Sequence, residues 1–397
     1  MKLLTRSLTA AALLALPAMT LAEEQQQDLE ARVAALEAML AEASKPATEK
    51  DPAEVTFLTG YDKGFFIESA DGNNLLKANA LTQIRYIYGH ADRNTNAPED
   101  TSGFEIARTR LTLSGHAIDP RIFYYLQGGF SSSGGDFDLI DLFVGYRIND
   151  NIQVRIGQWK HQFQRETFLS LSKLSAVDKS LVASGILPAK LGRIQGIEAQ
   201  YRDDLHRVVI TLNEGFKSYN TSLTDETSDV GITGRYEFKP FGEWKYLADF
   251  SAPPGDPTGL LIAIAGHAEE GSAFAGTADI TFQTDAGTNV FASIAWHEID
   301  DAEAWGTVLQ VAQFVADNIE PFLRYEFGQS SGASDLSVIT VGSNVYFFKG
   351  NVKFTGDLGY AFDAVSGTFD KSSIGWMTDD PGSDGQIVFR LQLQLKL

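Results

Sequence analysis

The last twelve residues alternate, with Val388 the one apolar residue on the polar side. Ile387, Phe389, Leu391, Leu393, Leu395 and Leu397 share one side, and Gln386, Arg390, Gln392, Gln394 and Lys396 the other. Period two is the mark of a β-strand, because successive side chains leave opposite faces of the backbone. The same alternation recurs from about residue 74 onward. Leu76, Ala78, Ala80, Ile84, Tyr86 and Tyr88 oppose Lys77, Asn79, Gln83 and Arg85; Leu111 and Leu113 oppose Arg108, Arg110, Thr112 and Ser114. Ile152, Val154 and Ile156 oppose Gln153 and Arg155, and Val352, Phe354, Leu358 and Tyr360 oppose Lys353, Thr355 and Asp357. Leu260 to His267 alternates poorly. Sixteen such segments can be counted.

Tight turns punctuate them: Asp119-Pro120-Arg121, Asn149-Asp150-Asn151, Arg202-Asp203-Asp204, Asp285-Ala286-Gly287, Asp317-Asn318 and Lys349-Gly350. Longer polar or acidic loops lie between these turns. An even count with short connections on one side and long ones on the other predicts an all-β fold. The expected architecture is a 16-stranded antiparallel transmembrane β-barrel, apolar face toward lipid and polar face toward a water-filled lumen. A soluble sandwich would instead bury the apolar face against a second sheet. Lys239 to Thr258 falls on the short side yet carries Trp244, Tyr246 and four prolines. Its aromatics are expected at the membrane interface.

The N-terminal part follows another rule. Lys2 and Arg6 precede a short apolar run, Leu8 to Leu16, which Pro17 breaks before small residues near Ala22. That reads as a secretory signal peptide over 1–22, too short to span a bilayer as a helix. Residues 23–60 form the next unit. Leu29, Val33, Leu36 and Leu40 make a seam of coiled-coil spacing, and Lys45-Pro46 ends it. A periplasmic coiled-coil helix and linker are expected there, the barrel occupying 61–397.

Composition fits export and narrows the function. The chain of 397 residues has no cysteine, 36 glycines and 11% aromatics, with 32 Lys+Arg against 52 Asp+Glu for a formal net charge of -20. Such acidity argues against nucleic-acid binding, which needs basic surface. The excess acid lies in loops, for example Glu99 and Asp100, or Asp379, Asp380 and Asp384. Strand parity places Lys77, Arg85, Arg108, Arg110, Arg121, Arg147, Arg155, Arg202, Arg207, Arg235, Arg324, Lys353, Arg390 and Lys396 toward the lumen. Asp141, Glu198, Asp229, Glu237, Asp279, Glu326 and Asp357 share that side, leaving the wall net positive. Rings of Arg and Lys suit anion pores. The alternative is that these arginines pair with neighbouring acids and only ladder the wall.

Gln158 to Gly192 is a long loop with unusual apolar content: Phe163, Phe168, Leu169, Leu171, Leu174, Val177 and Leu181. A segment of that kind packs against something. Folded into the lumen, it would bring Lys160, Arg165, Lys173, Lys179, Lys190 and Arg193 to a constriction, offset by Glu166 and Asp178. The candidate pore-lining, anion-binding residues are Lys160, Arg165, Lys173, Lys179 and Arg193 of this stretch with Arg85, Arg108, Arg110 and Arg155 of the wall. The loop could alternatively latch a subunit interface.

Two stretches carry a family resemblance. Phe104-Glu105-Ile106-Ala107-Arg108-Thr109-Arg110-Leu111, followed by Ser114-Gly115-His116 and Asp119-Pro120, is one. The other is Gly157-Gln158-Trp159-Lys160 with Phe163, Arg165-Glu166 and Val177-Asp178-Lys179-Ser180-Leu181. Both resemble the phosphate-selective porin O/P family. The resemblance implies an outer-membrane porin, a homotrimer often preceded by a short coiled coil, with anion-binding arginines and lysines in the lumen. Here Ala107 stands where members often carry another arginine, and Leu397 where outer-membrane barrels commonly end in phenylalanine. The expected partners are small anions or other hydrophilic solutes and outer-membrane lipid.

Catalytic readings find little footing. Gly328-Gln329-Ser330-Ser331-Gly332 matches a nucleophile-elbow pattern but joins two strands, where the motif needs a strand and then a helix. His297-Glu298 lacks a second histidine four residues on, and the six histidines show no metal-ligand spacing. No cofactor, metal or catalytic residue is assigned. A barrel-embedded hydrolase and a non-catalytic adhesin or structural barrel are the competing classes.

Overall fold

The computed structural model describes residues 34, 57–91, 99–186, 192–215, 218–222, 230–270, 273–370, 374–378 and 385–397. The signal segment, the Leu29–Leu40 seam and Lys190 lie outside the described residues. A hairpin, β1 (Phe57–Tyr61) and β2 (Phe65–Ser69), precedes the wall strands. These are β3 (Leu75–His90), β4 (Asp100–Ala117), β5 (Asp119–Phe130), β6 (Phe137–Arg147), β7 (Ile152–Lys160), β8 (Arg193–Arg202), β9 (His206–Asn213) and β10 (Gly231–Phe241). There follow β11 (Gly259–Glu269), β12 (Ala273–Gln283), β13 (Thr288–Ile299), β14 (Ala302–Gln313), β15 (Ile319–Ser330), β16 (Leu336–Phe347), β17 (Val352–Ala361) and β18 (Gln386–Lys396).

Each wall strand pairs antiparallel with the next, and β18 returns to β3 from Leu81↔Lys396 to His90↔Ile387. That pairing closes a 16-strand barrel, β3 to β18. Closure leaves no free sheet edge, the condition for crossing lipid with strands. The last strand stops at Leu397, whose N–H bonds to the Ala80 carbonyl at 2.9 Å. The hairpin takes over from there, β2 pairing with β3 from Phe65↔Ala78 to Glu68↔Leu75. It covers the stretch of β3 that β18 is too short to reach.

Faces follow the parity read from the sequence. Ile84, Leu113, Ile156, Ile197, Ile210, Ile264, Leu309, Leu358 and Leu393 are exposed on the outside, while Gln83, Arg85, Glu198, Asp357, Arg390 and Gln392 are buried within. No described helix is long and apolar enough to cross a membrane.

Two expectations need correcting. The outer connections are not uniformly long: β11–β12 is spanned by residues 270–272 and β13–β14 by Asp300 and Asp301 alone. The 242–258 connection does not simply lie at the membrane interface either. It turns into the barrel with Leu247 and Phe250 buried, while Trp244 donates its Nε1–H to the Asp203 carbonyl at 2.9 Å.

The inner surface is divided. The loop after β7 folds inward through two short helices, α1 (Arg165–Phe168) and α2 (Leu181–Gly185). Leu169, Leu171, Leu174, Leu181, Val182 and Ile186 from this loop form one apolar cluster with Phe250 of the inward turn and with Val365, Phe369, Ile374 and Trp376 of the last loop. The wall supplies Phe291, Ala295, Ala304, Val308, Leu336, Val338, Ala361 and Val388. Inward-facing glycines leave room for it: a Cβ on Gly306 would stand 2.8 Å from Val182, and one on Gly359 2.6 Å from the Trp376 ring. Overpacking of this kind costs about 1–3 kcal/mol. Gly306→Val should therefore lift the inward loop while the wall persists. Faster chymotrypsin cleavage within 165–186, with unchanged heat-modifiable migration of the barrel, would register it; unchanged cleavage would contradict this packing.

Candidate functional site

The apolar cluster occupies the β13–β18 side of the interior, and the cations gather on the wall that continues from it, starting at β3, which pairs with β18. A bulge sets their faces. The β3–β4 register slips between Gln83↔Arg108 and Ile84↔Ile106, so Ala107 is the extra residue. As a result Glu105 and Arg108, three positions apart, both reach lumen side chains of β3.

Arg85 donates Nε to Glu105 Oε2 at 2.7 Å and Nη1 to Asp178 Oδ2 at 2.9 Å. Arg108 donates Nη2 to the same Asp178 oxygen at 2.9 Å and Nη1 to Gln83 Oε1 at 2.9 Å. Arg193 grips Asp141 through Nε at 2.8 Å and Nη2 at 3.3 Å. Lys160 donates Nζ to the Leu169 carbonyl. The side chains of Arg110 and Lys179, both half-buried, make no hydrogen bond or ion pair among the described residues. Arg110 lies within the field of Arg108, Arg193 and Asp141, and Lys160 within that of Arg193, Arg110 and Lys179. Six of the nine candidates thus converge: Arg85, Arg108, Arg110, Lys160, Lys179 and Arg193. Burial alone would raise the Asp178 carboxyl, but Arg108 and Arg85 outweigh it and hold it well below the usual range. Burial pushes the Lys179 ammonium down.

The other three stand elsewhere. Arg155 donates to Glu198 at 2.7 Å and lies over Phe143 and Trp159, whose Nε1–H meets the same carboxylate at 3.0 Å. Arg165 is buried on the far side of the loop, donating to the Leu247 carbonyl with its guanidinium 5.6 Å from the Phe250 ring centroid. Lys173 donates to the Ala248 carbonyl at 2.6 Å and faces Asp249 at 3.8 Å. Arg165 and Lys173 therefore tie the inward loop to the inward turn. Burial pushes the Asp249 carboxyl up, against the pull of Lys173 and Lys353.

Most of the remaining wall charge is matched. Arg207 pairs with Glu237, Arg235 with Glu237 and Asp279, Arg324 with Glu326, and Arg390 with Asp357. Arg121, Arg147 and Arg202 are exposed near the turns rather than set in a narrow zone. Some of these groups also pin the loop, a role sequence parity did not suggest. Asp357 accepts from Val177 N at 2.9 Å, Glu326 accepts from the N–H groups of Leu181 and Val182, and Lys353 donates to the Leu174 carbonyl at 2.7 Å. Glu105 and Glu320 were also missed. Only the bulge turns Glu105 onto Arg85, whereas Glu320 faces the lumen in ordinary alternation with the buried Arg324 and Glu326.

A family model described as phosphate-selective porin O and P matches residues 79–243, a span containing both motif stretches. Among solved structures, the outer membrane channel DcaP of Acinetobacter baumannii superposes with a TM-score of 0.57 at 11% identity, covering 86% of this chain and 100% of that one. An anion-selective porin from Comamonas acidovorans gives 0.57 at 13% identity, covering 81% and 99%. OmpT of Vibrio cholerae lacking loop L8 gives 0.51 at 10% identity, covering 81% and 99%. No curated protein sequence matches.

Proposed function

We propose that this porin, which carries the phosphate-selective porin O and P pattern over residues 79–243, conducts small anions by diffusion through a water-filled lumen in the outer membrane. The observation that carries the selectivity is the cation group beside the inward loop. The side chains of Arg110 and Lys179 have no bonded partner among the described residues, the Lys160 ammonium is bonded to a neutral carbonyl, and Arg108 shares one carboxylate with Arg85. Paired arginines elsewhere cancel and leave this zone positive. In a narrow channel with low-dielectric walls the charges nearest the constriction dominate the field. The related anion-selective porin from Comamonas acidovorans supports the same reading. Reversal potential across a KCl gradient in a planar bilayer tests it: chloride should pass in preference to potassium, and a cation-selective wild type would refute it.

Export through the 1–22 signal peptide and assembly as a homotrimer belong to the same proposal, the seam at Leu29, Val33, Leu36 and Leu40 serving as a short stalk. Replacing Val33 and Leu36 by Asp should loosen the stalk and leave the barrel folded. A monomeric wild type in mild detergent, by analytical ultracentrifugation, would end the trimer proposal.

A further inference from the structure

We infer that Asp178 is a tethered counter-ion: its carboxylate occupies the Arg85–Arg108 pair as a solute anion would, and a passing anion must compete with it. The inference rests on the anion-channel reading.

The geometry is that of a bound oxyanion. One oxygen, Oδ2, accepts from guanidinium groups of two adjacent strands, Arg85 Nη1 and Arg108 Nη2, each at 2.9 Å. The other oxygen accepts from the Lys179 N–H at 2.9 Å. Charge-assisted contacts of this kind are how arginines hold carboxylate or phosphate. The surroundings favour exchange. The Arg110 guanidinium and the Lys179 ammonium stand in the same electrostatic neighbourhood without bonded partners among the described residues. Arg85 also bonds Glu105, and Arg108 the neutral Gln83.

The carboxylate is not what holds the loop. Backbone groups on either side of it are fixed independently: Leu174 by Lys353, Val177 by Asp357, Leu181 and Val182 by Glu326. Ser180 is fixed by Glu166, and the Asp178 carbonyl by Arg324 at 3.0 Å. Removing the charge therefore leaves the loop seated. It leaves the Arg108 guanidinium with only the neutral Gln83 among its bonded partners in the described residues, while Arg85 keeps Glu105. The class of solute this arrangement favours is the dianion, an oxyanion or dicarboxylate, because a second charge lets the solute outcompete a tethered monocarboxylate.

The test compares wild type, Asp178→Asn and Asp178→Glu in planar bilayers, reading the chloride-to-potassium permeability ratio and the block of chloride current by inorganic phosphate. In Asp178→Asn the reversal potential should move toward chloride, and phosphate should half-block at a roughly tenfold lower concentration, the order expected for one uncompensated charge within a few ångströms. Asp178→Glu, which keeps the charge, should restore wild-type behaviour. An Asp178→Asn channel with wild-type permeability ratio and wild-type phosphate block overturns the inference, even if wild type is anion-selective. A cation-selective wild type refutes the proposed function alone, since the shift between wild type and Asp178→Asn still reports on Asp178.

Discussion

Changing Arg108 and Arg110 together to glutamine should abolish most of the anion preference while the barrel still folds. The two act differently. Arg110 has no bonded partner among the described residues, so its loss removes free positive charge from the channel. Arg108 shares Asp178 with Arg85, so its loss also leaves that carboxylate half-compensated and facing the lumen. The local field then falls by more than a simple count of cations suggests. Exposed acids such as Glu99 lie in the outer loops, where salt screens them over about 8–10 Å. Glu99→Gln is therefore expected to change little. The barrel should survive because both arginines face inward from strands whose pairing is made by backbone, β4 with β3 and β5. Reversal potentials for wild type and double variant across the same KCl gradient measure the effect. A double variant as chloride-selective as wild type would show that selectivity resides elsewhere in the lumen.

The wall was legible in the sequence and the interior was not, for a physical reason. A strand with lipid on one side and water on the other must alternate, and β18, β3 and β7 do so plainly. On β11 the inner face meets protein rather than water. Leu261 and Ala263 face inward on β11 while Ile262 and Ile264 face lipid, so both parities are apolar and alternation fades between 260 and 267. The weak pattern there was a sign of inward packing. The inward loop itself could be anticipated from its apolar content. The inward turn of 242–258 carried a similar signal in Leu247 and Phe250, but its aromatics pointed equally to the membrane interface. Charge pairing was the least legible part. Parity places Arg155 and Glu198 on one face, yet only the register Arg155↔Glu198 makes them partners. No parity argument could place Asp178, a loop residue, between Arg85 and Arg108.

The same inner packing yields the second large effect. Leu181 and Val182 open α2 and are fully buried against the wall and the last loop. Replacing both by Asp puts two unpaired charges into an apolar cluster, which no neighbouring cation can offset cheaply. Even truncation to Ala would remove about 2–5 kcal/mol for a buried leucine. Among the described residues the backbone N–H groups of these two residues bond to Glu326, and that carboxylate, with the anchors at Leu174, Val177 and Asp178, does not offset two unpaired charges buried in apolar surroundings. The inward loop should therefore leave its seat, whereas the strands keep their pairing and closure through β18 and β3. A wider lumen conducts more and discriminates less, because Lys179 moves away from Arg108 and Arg110 and the narrow zone that focused their field is gone. Single-channel conductance in the double variant should rise severalfold and the chloride preference should fall, with a β-dominated far-UV spectrum unchanged. Wild-type conductance in a correctly folded double variant would mean that the loop after β7 does not form the constriction.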